Sequence, residues 1–323
     1  VNAFVTGGTG FVGAHLVAAL RAQGVAVTVL ARSPERAARL GWGPDVRIVR
    51  GDLADAAVLA AAAAEAEVVF HLAGIVSAHS PAEFFRANRD GTARMLEAVA
   101  ARPPRRFVLV SSVAAAGPNP PGRPHATGEE SDPVTEYGRS KLAAEDLVRG
   151  SDAPWSILRP PPVYGEWDRE FLKLFRTVRL GLAPVFGDGS QQLSMVYAAD
   201  LAQALLATAA SPAAAGKTYY PAHPEIVTSR DIVLAAGRAM GRTPRVVSLP
   251  RGLARGLLGA IAAGARLAGQ ATLLTPDKAN EFFAPAWTFS PEPLTRDTGW
   301  AASVDLETGF RRTVAWYRAR GWL

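Results

Sequence analysis

Thr6-Gly7-Gly8-Thr9-Gly10-Phe11-Val12-Gly13 decides how the chain begins to fold. An apolar run from Ala3 to Thr6 leads into it and a helical pattern from Val12 to Gln23 leads out. The glycines therefore occupy a strand-to-helix turn. Gly7 and Gly10 let the backbone turn and come close to a pyrophosphate, and Gly13 lets helix and strand pack tightly. The N–H groups that open the helix have no intrahelical partner and attract an anion. Gly7, Gly10, Phe11, Val12 and Gly13 thus read as a dinucleotide-binding turn.

Outward from this turn, strand-length apolar runs alternate with longer helical segments. The strands are expected at Ala3 to Thr6, Ala26 to Leu30, Val46 to Arg50, Val68 to Leu72, Phe107 to Ser111 and Ser156 to Arg159. Such alternation specifies an α/β fold, a doubly wound parallel sheet (Rossmann fold) with helices on both faces. Gly24 suits the residue that ends the first helix, and Ser33 before Pro34 suits a cap with proline at the first helical position. After Arg159 the pattern loosens at Pro160, Pro161 and Pro162. Helices are expected at Asp168 to Leu180 and Ala199 to Ala210. Residues 1–164 with about 194–222 are expected to form the sheet domain, and about 165–193 with 223–323 a smaller C-terminal substrate lobe.

The chain has 323 residues, 49% hydrophobic and 20% charged, enough for a substantial core. It has no Cys, which excludes disulfides and thiol catalysis, and its five His show no metal-ligand spacing, so no metal is expected. The net charge of +6 comes from dispersed Arg without a basic run, so nucleic acid is not the expected partner. No signal peptide fits the first residues, and a cytoplasmic location is expected by default.

At the end of the second expected strand, Leu30-Ala31-Arg32-Ser33 lacks the acid that would take the ribose 2′-hydroxyl of NAD. Arg32 and Ser33 suit a 2′-phosphate, with Arg36 as further help, so NADP is favoured over NAD. Tyr137 and Lys141 lie four residues apart, which puts a phenol and an ammonium on one helical face. Lys is rare here: four residues against 31 Arg, so the placement is not a compositional habit. A fixed cation beside a phenol, whose pKa is ordinarily about 10, lowers it toward neutrality and suggests proton transfer.

The segment 253–268 is too short and too interrupted by Arg to span a membrane. Its Leu253, Leu257 and Ile261 recur at i, i+4 and i+8. That stripe fits core packing, a lid over an apolar cavity, or peripheral contact with a membrane surface.

Taken in order, these motifs resemble the extended short-chain dehydrogenase/reductase family, over essentially the whole chain. Gly51-Asp52-Leu53 is similar to its adenine-contacting segment, and His71-Leu72-Ala73-Gly74 to the turn beside its cofactor. Asn88-Arg89-Asp90-Gly91-Thr92 resembles its Asn-x-x-Gly-Thr helix, and Arg159-Pro160-Pro161-Pro162-Val163-Tyr164-Gly165 its loop at the nicotinamide. The resemblance implies Asp52, Leu53, Leu72, Ala73, Gly74, Pro160 and Val163 as further cofactor contacts. It implies Tyr137 as the acid or base, Lys141 as the group that tunes it and holds the nicotinamide ribose, and Ser112 rather than Ser111 as the hydroxyl on the reacting oxygen. Hydride transfer coupled to proton transfer follows.

Two departures narrow the branch. Members acting on nucleotide sugars usually carry an Arg after Gly-Asp-Gly, where this chain has Leu193, and their Tyr-Gly is replaced by Ala116-Gly117. A buried pyrophosphate without its cation is costly. The apolar segment 253–267 and the ending Thr313 to Leu323 resemble the 3β-hydroxysteroid dehydrogenase and dihydroflavonol reductase-like side of the family. Trp316, Tyr317 and Trp322 also suit simple sealing of a terminal helix. The expected activity is oxidation or reduction of a small apolar substrate, a sterol-, flavonol- or lipid-like secondary alcohol or ketone, by a monomer or homodimer. The alternatives are a nucleotide-sugar epimerase or dehydratase with tightly bound NAD, and a non-catalytic NADP-sensing regulator.

Overall fold

The computed structural model describes residues 1–269, 271–272 and 275–323. Six strands open the chain: β1 (Asn2–Thr6), β2 (Ala26–Ala31), β3 (Val46–Arg50), β4 (Val68–His71), β5 (Arg106–Val110) and β6 (Trp155–Leu158). The longer helices among them are α1 (Phe11–Ala22), α2 (Ala56–Ala63), α3 (Gly91–Ala100) and α4 (Glu136–Arg149), with short helices at Pro34–Ala38 and Pro81–Phe84. A seventh strand, β7 (Lys217–Tyr219), completes a fully parallel sheet in the order β7-β6-β5-β4-β1-β2-β3. The order reverses between β1 and β4, the point at which an open α/β sheet presents its ligand crevice.

The sheet is covered on both faces because successive side chains point opposite ways. Val5, Val29, Phe70, Val108 and Leu158 pack with Leu16, Val17 and Leu20 of α1, and with Leu201 and Leu205 of helix Ala198–Ala210. Their neighbours Phe4, Leu30, Val69, Leu109 and Ile157 face the other way, onto Leu59 of α2, Met95 and Val99 of α3 and Val148 of α4. Gly24 takes φ 70° after α1, and Ser33 accepts the Arg36 N–H with Pro34 at the first helical position.

A second core forms where α5 (Glu170–Arg179), α7 (Ser229–Met240) and α9 (Leu306–Ala319) pack together, α6 being helix Ala198–Ala210 and α8 Arg251–Leu267. Leu172, Phe175, Ile232, Phe310 and Tyr317 fill it. Strand 192–194 runs between 226–228 and 286–287, a small sheet beside the large one. Leu294 and Trp300 reach past this second core into that of the large sheet. Tyr317 stacks on Trp322, Trp316 meets both edge-on, and Trp167 packs against Trp316 and Trp322, so the terminal aromatics do seal a helix end.

Helix α8 departs from the commonest use of an apolar stripe. Ala254 and Leu258 are buried, whereas Leu253, Leu257 and Ile261 face outward, so the stripe is not core. Among the described residues no helix is long and apolar enough to cross a membrane.

Candidate active site

The glycine turn is crowded on every side. A Cβ on Gly7, at φ 74°, would sit 2.7 Å from the backbone of Leu72 and Ala73, and one on Gly13 would sit 2.2 Å from the Gly7 carbonyl oxygen. No other residue fits, which is why the first helix can start so close to the strand ends. Gly10 stands at the N-cap without a side-chain hydrogen bond, leaving the N–H groups of Phe11, Val12 and Gly13 available to an anion. This cradle fits a dinucleotide pyrophosphate.

At the far side of β2, Arg32 shares a cleft of about 290 Å³ with Arg50, Gly51, Asp52 and Asp55. The reason is register: Ala31 pairs with Arg50, so the end of β3 delivers a second guanidinium beside Arg32. Sequence reasoning missed Arg50 and named Arg36, which does not line this cleft. The Ser33 hydroxyl is spent on Glu35 (2.6 Å) and on the helix cap. Asp52 caps its own turn through the Ala54 N–H (2.7 Å), and Leu53 packs where a Cβ on Gly91 would collide.

Between the two halves of the sheet, the segment His71-Leu72-Ala73-Gly74 is held by a buried polar chain. Thr92 gives its single proton to the Asn88 carbonyl (2.7 Å), so it can only accept from His71 Nε2 (3.2 Å). His71 Nδ1 then accepts from Thr6 (2.7 Å), and burial, with Lys141 nearby, holds the imidazole neutral, down to a pKa of about 3. Asn88 lies in a wide π turn, 85–90, and ties this segment to α4. It accepts from Ile75 N–H (2.8 Å) and donates to Ile75 O (3.1 Å) and Ser140 Oγ (2.9 Å). Gly74 is confined by Asn88, and a Cβ there would stand 3.9 Å from the Lys141 ammonium.

Thr135 caps α4, which carries Tyr137 and Lys141. The Ser112 hydroxyl stands close enough to the Tyr137 phenol to favour its ionised form, while accepting the Ala114 N–H (3.1 Å). Ser111 is committed elsewhere: it donates to the buried Glu145, which also binds Arg149 and Arg159. The structure thus brings Ser112, and not its neighbour, to the phenol. Lys141 is buried and donates to the Val110 carbonyl (2.8 Å). Pro160 anchors the same corner, its carbonyl accepting from Val113 N–H (3.1 Å), while half-buried Val163 pairs with Val196.

One expectation is corrected here. Tyr137 is not lowered toward neutrality but pushed up to about 12, chiefly by burial and only partly offset by the nearby Ser112 hydroxyl. Lys141 is lowered to about 8 by burial, which Glu145 opposes. Desolvation outweighs the expected cation effect. Sequence reasoning also missed Lys278, whose ammonium stands 5.6 Å over the Tyr137 ring and pairs with Glu281. Partly buried Leu193 packs against an apolar cluster that contains Val113, Ala116, Tyr220, Trp287 and Phe289, and Val113 directly follows Ser112 in the chain.

Residues 3–220 match the NAD dependent epimerase/dehydratase family. The ceramide reductase of Caulobacter vibrioides is 35% identical over 327 residues, covering 99% of this chain and 95% of that protein. The 2-alkyl-3-oxoalkanoate reductase of Stenotrophomonas maltophilia is 32% identical over 333 residues, 96% of this chain and 98% of the other. Among solved structures, UDP-glucose 4-epimerase of Thermus thermophilus in complex with NAD has a TM-score of 0.78 at 24% identity, over 98% of this chain and 99% of that one, a likeness of fold. With the uncapped glycine cradle and the Ser112–Tyr137–Lys141 corner in place, the chain belongs to the NAD dependent epimerase/dehydratase family and is an NAD(P)-dependent enzyme of the extended short-chain dehydrogenase/reductase type.

Proposed function

We propose that the protein is an NADP-preferring reductase of a ketone on a long apolar molecule, running in reverse on the corresponding secondary alcohol. The observation that carries this reading is Leu193, packed on the apolar cluster of Val113, Trp287 and Phe289 that begins at the residue after Ser112, where a nucleotide sugar would need a cation. The two reductases similar over nearly the whole chain are named for a ceramide and an alkyl oxoalkanoate, both bearing hydrocarbon chains.

When bound, the dinucleotide supplies or accepts the hydride. The chain's own residues manage the proton and the oxygen. Ser112 Oγ holds the substrate oxygen, and Tyr137 Oη gives it a proton during reduction. Burial favours the protonated phenol, the form that donates during reduction. Lys141 uses one N–H on Val110 and keeps its other donors for the nicotinamide ribose. Arg32 and Arg50, which share one cleft, would take the 2′-phosphate, Asp52 and Leu53 would hold the adenine, and Leu72, Ala73, Gly74, Pro160 and Val163 would hold the rest of the cofactor.

Consumption of NADPH with a long-chain ketone tests the reading against UDP-glucose. Net oxidation of NADPH by the ketone, with no epimerisation of UDP-glucose, supports it. Epimerisation without net cofactor turnover refutes it.

A further inference from the structure

Helix α8 carries an apolar face that nothing among the described residues covers. At the helical repeat, Leu253, Leu257, Ile261 and Leu267 fall within an arc of about 120°. They are 62%, 48%, 36% and 91% exposed, four of the ten large apolar side chains exposed among the described residues. The helix glycines, Gly252, Gly256, Gly259 and Gly264, have open space where a Cβ would point, so their smallness serves no packing against the described residues. On the other side of the helix stand Arg251, Arg255 and Arg266, and residues 251–269 contain no acid. An apolar face backed by arginines is the form that lies in the interfacial plane of a membrane.

The same helix is fastened to the active site. Arg255 donates to Asn280 (3.2 Å), and Arg251 lies over the Phe283 ring (5.7 Å). Asn280 in turn donates to Val134 O (3.3 Å), Asp277 accepts the Glu136 N–H (3.1 Å), and Glu281 accepts the Thr135 hydroxyl (2.8 Å). These bonds grip the turn that presents Tyr137. The stripe is thus carried by a unit built onto the site itself.

We infer that α8 is the surface by which the protein rests on an anionic lipid bilayer, with Leu253, Leu257, Ile261 and Leu267 at the acyl boundary and the arginines drawn to lipid phosphates. Charge selects this occupant. A second copy docked helix to helix on the same face would bring α8's own arginines, and no acid from that helix, against them, whereas an anionic surface attracts guanidinium groups within about a Debye length, Arg266 above all. The docking goes beyond the proposed reaction and stands whether or not the substrate is a lipid. If it is, a bilayer-held ketone meets Tyr137 without crossing water.

Co-sedimentation of the full chain, without cofactor or substrate, tests this separately from turnover. Vesicles of phosphatidylglycerol mixed with phosphatidylcholine should capture the protein, at least about tenfold more tightly than phosphatidylcholine alone, and high salt should weaken the capture. The triple variant Leu253→Ser, Leu257→Ser, Ile261→Ser should bind at least about tenfold more weakly while unfolding at the wild-type temperature, because the three side chains are exposed. Arg266→Glu should weaken binding to the anionic vesicles alone. Capture of the triple variant equal to wild type overturns the inference. So does absence of capture by anionic vesicles, including the case in which the wild type is a dimer that the triple variant dissociates.

Discussion

Glycines mark two regions of this molecule in opposite ways. In the cofactor turn, Gly7 and Gly13 are pressed to within 2.2–2.7 Å of backbone by any added Cβ, whereas Gly252, Gly256, Gly259 and Gly264 of α8 would add theirs to open space. The first set exists because backbone must approach backbone and leave room for a phosphate. The second set has no such partner among the described residues. One region is closed and fixes geometry; the other is open, basic and apolar, and looks outward.

Substitutions can break or sharpen that contrast. Gly13→Ala should have the largest effect on stability, about 3 kcal/mol or more, because its Cβ lands on the Gly7 carbonyl and overpacking of rigid backbone has no outlet. Thermal unfolding and NADPH titration should both register it. Arg32→Ala tests the rim of the closed region: NADP affinity should fall about tenfold, as expected for one charge-assisted phosphate contact, with NAD affinity little changed. An equal loss for both cofactors would remove the 2′-phosphate role. Gly256→Ala should have the smallest effect and the opposite sign, a gain of about 0.5–1 kcal/mol from helix propensity alone. A destabilisation there would mean that α8 packs where the structure shows space.

The titration of Lys141 belongs to the closed region too. Its folded value of about 8 lies below the ordinary 10.5, so burial of its charge is a penalty present in full below about pH 8. Between about 8 and 10 the folded chain sheds this proton before the unfolded chain does, and stability should rise relative to Lys141→Met. Over the same range the ammonium that holds the ribose is lost, so reduction should slow above about pH 8. Denaturant unfolding and initial rates across this window read the two trends.

Much of this was legible in the sequence, for identifiable reasons. The strand and helix periods placed β1 to β6 within a residue or so of their ends, because alternation records burial directly. The glycine turn was legible because only glycine survives such crowding. Arg50 was not, since its approach to Arg32 depends on the pairing of Ala31 with Arg50 across two strands. Lys278 and Glu281 reach Tyr137 from more than 140 residues away, beyond any local pattern. The Tyr137–Lys141 spacing correctly put both groups on one helix, but spacing carries no information about desolvation, which raised the phenol instead of lowering it. For α8 the period announced an apolar face without saying what would lie against it.

The central claim is that Tyr137 moves the proton that accompanies hydride transfer, and its most direct measurement is single-turnover oxidation of enzyme-bound NADPH in Tyr137→Phe. The account predicts a loss of about a hundredfold or more in the rate of that step, with NADPH binding unchanged as read by titration. A variant that turns over at the wild-type rate with NADPH equally bound would contradict it.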